Sequence, residues 1–371
     1  MQPLLVQGYA ILFFMSLAFC LVIIISSHGF KRRAASDEVA VQSAHKGFVP
    51  RVGGLAIFIS ILGLIPLLTF GFIPVSVVFD LKTEEVILLI LTAVPIFFVG
   101  ISEDLGYAMS PPKRLLASAV SGLLVLIIFK VWIAKLGIPG LDSVISFIPL
   151  GIVFTIFATV GVVNAFNLID GLNGLSGYVA ISTAISLSII SFNVDDFQIS
   201  IFLILLMSSV LGFMVLNFPF GRIFLGDAGA YVLGHLLVWS AILLINHDPL
   251  ISPFSILLIF FWPVADTGLA IWRRWKLGNS AGRPDRLHFH QLAMRFLEIR
   301  FFGRSRRNLS NPIATLFLIP LISVPQILGV LFWDDFGMTV CITVGMVMLF
   351  IASYLFGINL ARRSRKVSTR K

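Results

Sequence analysis

Residues 146–175 read SFIPLGIVFTIFATVGVVNAFNLIDGLNGL, an apolar run that ends in polar residues spaced three apart: Asn164, Asn167, Asp170 and Asn173. The first part carries no charge and matches the roughly twenty residues a membrane-crossing helix needs. The second part cannot sit in lipid unaccompanied, because amides and a carboxylate there must face a cavity, a ligand or water. The stretch predicts a membrane helix that delivers a polar site to one surface of the bilayer.

The rest of the chain agrees. Of 371 residues, 58% are hydrophobic and 12% charged, with a mean hydropathy of +1.01. A soluble core of this length needs far more polar surface, so the composition indicates a polytopic membrane protein. Apolar stretches lie near 8–27, 53–74, 85–103, 114–135, 146–164, 174–192, 198–217, 228–246, 252–272, 313–333 and 337–360. The fold class is therefore an all-α transmembrane bundle of about 10–11 spans, read as one integral membrane domain over residues 1–371. The first span lacks a basic leader region and a small-residue cleavage site, so it reads as a retained helix. Cys20 and Cys341 fall within spans and read as small apolar packing residues.

Net charge is +9, yet its placement argues against nucleic acid. Every Lys and Arg except Lys82, Lys130 and Lys135 falls in the segments 28–51, 104–114, 218–227 and 273–312 or in the tail 361–371. By the positive-inside rule those segments are cytoplasmic, 273–312 being the largest loop. The tail, with Arg362, Arg363, Arg365 and Lys366, suits anionic lipid headgroups.

Every polar cluster of interest falls in this cytoplasmic class. In the first loop Lys46 and Arg51 flank Pro50 beside Gly53-Gly54, offering positive charge and flexible backbone to a phosphate; a plain positive-inside anchor is the alternative. Glu103 and Asp104 are adjacent carboxylates at a helix mouth, suited to a general base or a hard cation, or to a solvated helix end balanced by Lys113 and Arg114. On a continuing helix Asn164, Asn167 and Asp170 are neighbours, with turn chemistry following at Asp170-Gly171 and Asn173-Gly174. Asp227, among Gly221, Gly226 and Gly229, stands where a helix starts, as N-cap or as ligand. Arg283, Arg286, His288 and His290 suit phosphate binding or proton transfer. Asp266 sits at the inner end of its span, with Arg273-Arg274 as neutralising neighbours.

The order of these motifs, Pro-Arg-x-Gly-Gly, carboxylate pair, Asn-x-x-Asn-x-x-Asp-Gly, Phe-x-Gly-Asp-x-Gly and Asp-Arg-x-His-x-His, covers about residues 45–291. It resembles the polyprenyl-phosphate N-acetylhexosamine-1-phosphate transferases, glycosyltransferase family 4. That family starts O-antigen and other cell-envelope glycans; its relatives include the phospho-N-acetylmuramoyl-pentapeptide transferase and the dolichyl-phosphate enzyme. The resemblance implies transfer of a UDP-linked N-acetylhexosamine 1-phosphate to undecaprenyl phosphate, releasing UMP, with Mg²⁺ or alternatively Mn²⁺. It implies a bacterial inner-membrane enzyme facing the cytoplasm, whose partners are the UDP-sugar, undecaprenyl phosphate and membrane lipid, with a homodimer as an open alternative.

Carried onto matching positions, the resemblance makes Asp227 and Asn167 metal ligands, and Glu103, Asp104 and Asp170 catalytic. Lys46, Arg51, Asn164, Asn173, Arg283, Arg286, His288 and His290 become substrate-binding residues. Three positions depart from the pattern: Glu103 in place of an aspartate, Asn173 where a second aspartate is usual in bacteria, and Gln291 where a further histidine is common. The last points to the aminosugar branch. A transporter or flippase for an anionic or lipid-linked solute is the alternative, and midplane charges or inverted repeats would be its marks.

Overall fold

The structure, a computed structural model, describes residues 2–27, 49–70, 83–276, 287–303 and 306–368, and every regular element among them is helical. In chain order the α-helices are α1 (Gln2–Ser27), α2 (Gly53–Leu62), α3 (Leu64–Thr69), α4 (Thr83–Thr92), α5 (Val94–Asp104), α6 (Pro111–Phe129), α7 (Leu141–Ile145), α8 (Ile148–Ile169), α9 (Leu175–Asn193), α10 (Phe197–Asn217), α11 (Gly226–His247), α12 (Pro253–Ile259), α13 (Phe261–Lys276), α14 (Phe289–Leu297), α15 (Arg307–Leu331) and α16 (Phe336–Ser368). A π-helical turn, Glu298–Phe302, follows α14.

This is the expected all-α polytopic bundle. Among the described residues nine helical stretches are long and apolar enough to cross a membrane, and α12 with α13 makes a tenth if counted as one. That pair is not the straight span expected over 252–272: its axes differ by 80°. Pro263 accounts for the break, because it has no N–H to give Ile259 and its ring clashes with that carbonyl, which is where α12 stops. The apolar stretch expected over 53–74 is the shorter pair α2 and α3, and residues 71–82 lie outside the described part. Beyond the last apolar stretch α16 continues as helix to Ser368, through most of the expected tail.

At the centre stands α11. It packs against α2, α5, α6, α8, α9 and α10, and its side chains from Ala228 to Ile242 are buried. Lipid supplies no hydrophobic force between helices, so close backbone approach through small residues has to hold them. Here the approach is extreme. A Cβ on Gly54 would lie 2.1 Å from the Gly229 nitrogen, and one on Gly100 2.5 Å from the Ala228 Cα. Buried polar pairs add register, notably Thr92 Oγ1 with His235 Nε2 at 2.9 Å and Ser60 with Ser209 at 2.7 Å. The N-terminal start of α11 is thus fixed to α2 and α5 at backbone distance.

Candidate active site

The residues just before α2 lie along the segment that enters α11. The Phe224 amide donates to the Pro50 carbonyl at 2.9 Å, Gly53 to Phe224 at 2.9 Å and Gly54 to Leu225 at 2.7 Å. The glycine pair expected to let a phosphate near the backbone instead admits the α11 backbone. Gly226 then turns the chain with φ +77°, and a Cβ there would meet the Arg51 carbonyl and the Asp104 carboxylate.

This join brings the carboxylate pair to Asp227. Asp104 accepts from the Asp227 amide on Oδ1 at 2.8 Å and from the Ala228 amide on Oδ2 at 3.0 Å. Of the two sequence readings of Asp227, N-cap or ligand, the capping role is thus taken by Asp104, from another helix. Glu103 faces the other way: its Oε1 takes the Arg114 guanidinium at 2.7 Å. Arg114 is itself held by the Met109 carbonyl at 3.0 and 3.2 Å and lies near Tyr231. Glu103 Oε2 is buried and meets no donor, and the Glu103 side chain lies beside that of Asp227.

On the facing side, Asn167 donates from Nδ2 to Asp227 Oδ1 at 2.6 Å. Helix α8 stops at Ile169 and does not continue through Asp170, because the Gly171 amide closes a tight turn on the Ile169 carbonyl at 2.8 Å. Asp170 still reaches the cluster. Its carboxylate accepts from Ser176 Oγ at 2.6 Å and feels the charges of Arg51 and Asp227. Burial lifts its pKa to about 6, with the Ser176 hydrogen bond and Arg51 pulling the other way. Asn164, one turn earlier, turns its amide back to the Val160 carbonyl at 2.8 Å.

Asn173 belongs to a different junction. It is 2% exposed, donates from Nδ2 to the Pro219 carbonyl at 3.0 Å, and its backbone joins Asn311 and Thr315 of α15. The neighbouring Gly174 amide donates to Asn217 Oδ1 at 2.7 Å. These bonds anchor the turn that carries Asp170.

The two histidines stack 5.6 Å apart at the start of α14. Asp266 organises them: its Oδ2 takes His288 Nδ1 at 2.9 Å, its Oδ1 takes the Phe289 amide at 2.9 Å, and His290 Nδ1 stands 3.7 Å away. Asp266 is thus held by hydrogen bonds from His288 and the Phe289 amide, while Arg273 bonds the Leu287 carbonyl and the Tyr354 hydroxyl. His290 is fully buried with neither ring nitrogen hydrogen-bonded, and burial lowers its pKa. Its Nε2 abuts Gly171, where a Cβ would lie 2.5 Å away. Through that contact the histidine loop touches the Asp170 turn.

Of the residues singled out by sequence, Glu103, Asp104, Asn167, Asp170 and Asp227 gather at one set of helix ends, with Arg51 and His290 beside them. Lys46, Arg283 and Arg286 lie outside the described residues. Sequence reasoning offered Arg114 as a charge partner of the carboxylate pair, which it is for Glu103, but missed the roles of Ser176 and Asp266. A lone carboxylate in a span, as Asp266 is, was the available signal.

The fold and the cluster define a polytopic membrane protein with an acidic, amide-rich site at the ends of its helices. The model described as glycosyl transferase family 4 matches residues 86–245, and the chain belongs to that family. The decaprenyl-phosphate N-acetylglucosaminephosphotransferase of Mycobacterium tuberculosis is 30% identical over 294 residues, 72% of this chain and 69% of its own. The undecaprenyl-phosphate alpha-N-acetylglucosaminyl 1-phosphate transferase of Escherichia coli K12 is 28% identical over 274 residues, 71% of this chain and 70% of its own. The same-named protein of Yersinia pestis is 26% identical over 265 residues, covering 70% and 69%.

Proposed function

We propose that this protein transfers N-acetylhexosamine 1-phosphate from a UDP-linked sugar to a polyprenyl phosphate, releasing UMP, at the cytoplasmic face of a bacterial inner membrane. The observation that carries the reading is the meeting of Glu103, Asp227 and Asn167 from three separate helices. The names of the relatives supply the phosphosugar and the prenyl acceptor.

The residues fit a Mg²⁺ ion. Magnesium is usually held by one or two carboxylates plus substrate phosphates and water, not by an all-protein cage. Among the described residues no group of three or more His, Cys, Asp or Glu is arranged to hold a metal. Asp227 and Asn167 would be its protein ligands, with the Glu103 carboxylate beside Asp227. A bound ion would supply positive charge to the diphosphate and the leaving UMP.

The chain's own residues do the rest. Asp104 holds the start of α11, and Asn167 orients the Asp227 carboxylate through its amide. Arg51 sets a positive charge beside Asp170, where an anionic substrate gains most. Glu103, kept in place by Arg114, is the group that accepts or orients the acceptor's phosphate proton. The prenyl phosphate is already a competent nucleophile, so direct displacement needs no covalent enzyme intermediate. His288, its Nδ1 committed to Asp266, offers Nε2 to a phosphate, and Lys46, Arg283 and Arg286 add charge.

The test is direct. Purified protein in detergent, given UDP-GlcNAc, undecaprenyl phosphate and Mg²⁺, releases UMP and forms a labelled lipid. Inertness toward UDP-GlcNAc, UDP-GalNAc and UDP-QuiNAc alike overturns the reading. Cell-envelope glycan initiation and homodimer formation follow the same proposal; product analysis and light scattering respectively test them.

A further inference from the structure

The adjacent carboxylates Glu103 and Asp104 are equivalent in sequence and opposite in structure. Both oxygens of Asp104 are taken by backbone amides, Asp227 N at 2.8 Å and Ala228 N at 3.0 Å. These are amides of the first turn of α11, which have no partner within their own helix. A carboxylate there also meets the positive end of the helix dipole. The seat is built tightly. A Cβ on Gly226 would stand 2.6 Å from Asp104 Oδ2, and Gly100, one turn before Asp104 on the same helix, touches the Ala228 backbone. Glu103, by contrast, leaves one buried oxygen without a donor, and its side chain lies beside that of Asp227.

We infer that Asp104 is a positioning residue for the metal ligand Asp227, and that the chemistry of the pair falls to Glu103 alone. Asp104 locks the turn that carries Asp227 to the end of α5, so the Asp227 carboxylate is held at a fixed distance from Glu103. A carboxylate engaged by two amides has little capacity left to receive a proton from a substrate. The inference rests on the metal-dependent reading above, but it is read by measurements that do not require turnover.

In Asp104→Asn one oxygen is replaced by an NH₂ that cannot accept from an amide, so one of the two bonds is lost. Mn²⁺ binding, followed by electron paramagnetic resonance on the full-length protein in detergent, weakens by about 10–100-fold, the range for losing a group that orients a metal ligand. At saturating metal, kcat returns to within a few-fold of the unsubstituted enzyme. Glu103→Gln does the opposite: Mn²⁺ affinity changes little and kcat stays depressed however much metal is added. Normal Mn²⁺ affinity in Asp104→Asn, with kcat still lost at saturating metal, would overturn the inference and return Asp104 to the chemistry.

A second measurement needs no variant. Residue-resolved hydrogen exchange on the unsubstituted protein should show the Asp227 and Ala228 amides protected, although first-turn amides ordinarily exchange freely. Unprotected amides at both positions overturn the inference whether or not Asp104→Asn folds. A protein that binds Mn²⁺ and shows this protection but turns over no UDP-sugar defeats the proposed function and leaves the positioning role standing.

Discussion

Asn167 and Asp227, sixty residues apart in sequence, are joined by a hydrogen bond of 2.6 Å from the amide nitrogen of one to the carboxylate of the other. The bond ties the end of α8 to the start of α11, and with it the polar run of the sequence to the glycine-rich entry of the central helix. Replacing Asp227 by Ala removes the carboxylate that both Asn167 and Glu103 face. Turnover then falls to background while the detergent-solubilised protein keeps its helical circular dichroism and its elution volume. Asn167→Ala is milder, lowering kcat/KM by roughly 10–100-fold with weaker Mg²⁺ dependence.

Arg114 and Glu103 act as a unit. Either Arg114→Gln or Glu103→Gln leaves the other side chain without its charge partner, so each substitution alone lowers activity. The double variant loses less than the sum, with a coupling energy of about 0.5–3 kcal/mol in a double-mutant cycle on kcat/KM. Strict additivity would mean that the 2.7 Å contact is idle.

Asp170 separates stability from function. Its folded-state pKa, raised to about 6 by burial, exceeds the ordinary value near 4. The folded protein therefore binds this proton more readily than the unfolded chain does. The stabilisation is complete below about pH 4 and is lost as pH rises through about 6. Asp170→Asn, neutral at every pH and still able to accept from Ser176, gains about 1–3 kcal/mol over the unsubstituted protein at pH 8. Melting curves in detergent should show that gain shrinking as the pH is lowered below about 6. Activity is lost in the variant throughout.

Asp266→Ala strips His288 and the Phe289 amide of their common acceptor. A broken buried pair costs about 3–5 kcal/mol, so the melting temperature drops and kcat/KM falls with it. Asp266→Asn, which can still accept from His288 or from the Phe289 amide, recovers part of both. Equal losses in the two variants would remove His288 orientation as the cause.

Gly54→Ala tests the backbone interlock. The added methyl would sit 2.1 Å from the Gly229 nitrogen, an overlap with main chain that no rotamer relieves. Overpacking of this kind costs about 1–3 kcal/mol or more, and thermal unfolding in detergent reads it. Gly268→Ala, with open space around its Cβ, is the matched control and leaves the melting temperature unchanged.

Much of this was legible in the sequence, for physical reasons. Apolar length and charge asymmetry give helices and loops because lipid imposes a uniform demand on every span. The polar residues at helix ends stand out because lipid forbids them elsewhere, which is how Glu103, Asn167, Asp170 and Asp227 were found. What escaped was partnership. Nothing in the spacing says that Asp104 caps a helix whose first-turn amide lies 123 residues away, or that Asn173 holds α15 while Asn167 holds Asp227. Pro263 was visible, but its 80° consequence depends on what the two half-helices pack against. Gly54 reads as permissive backbone and Gly100 gives no signal of its own; only the fold shows that the neighbours they admit are Gly229 and Ala228.

The helices packed most closely around α11, namely α2, α5, α6, α8, α9 and α10, all precede it in the chain. During synthesis at the membrane its walls are therefore in place before it emerges. A segment bearing Asp227 and His235 can leave the insertion machinery straight into a waiting slot, without dwelling in lipid. Biogenesis and catalysis then share one constraint: a substitution that delays assembly of the earlier helices strands the segment that carries Asp227, and the nascent chain becomes a target for quality control before any substrate is met.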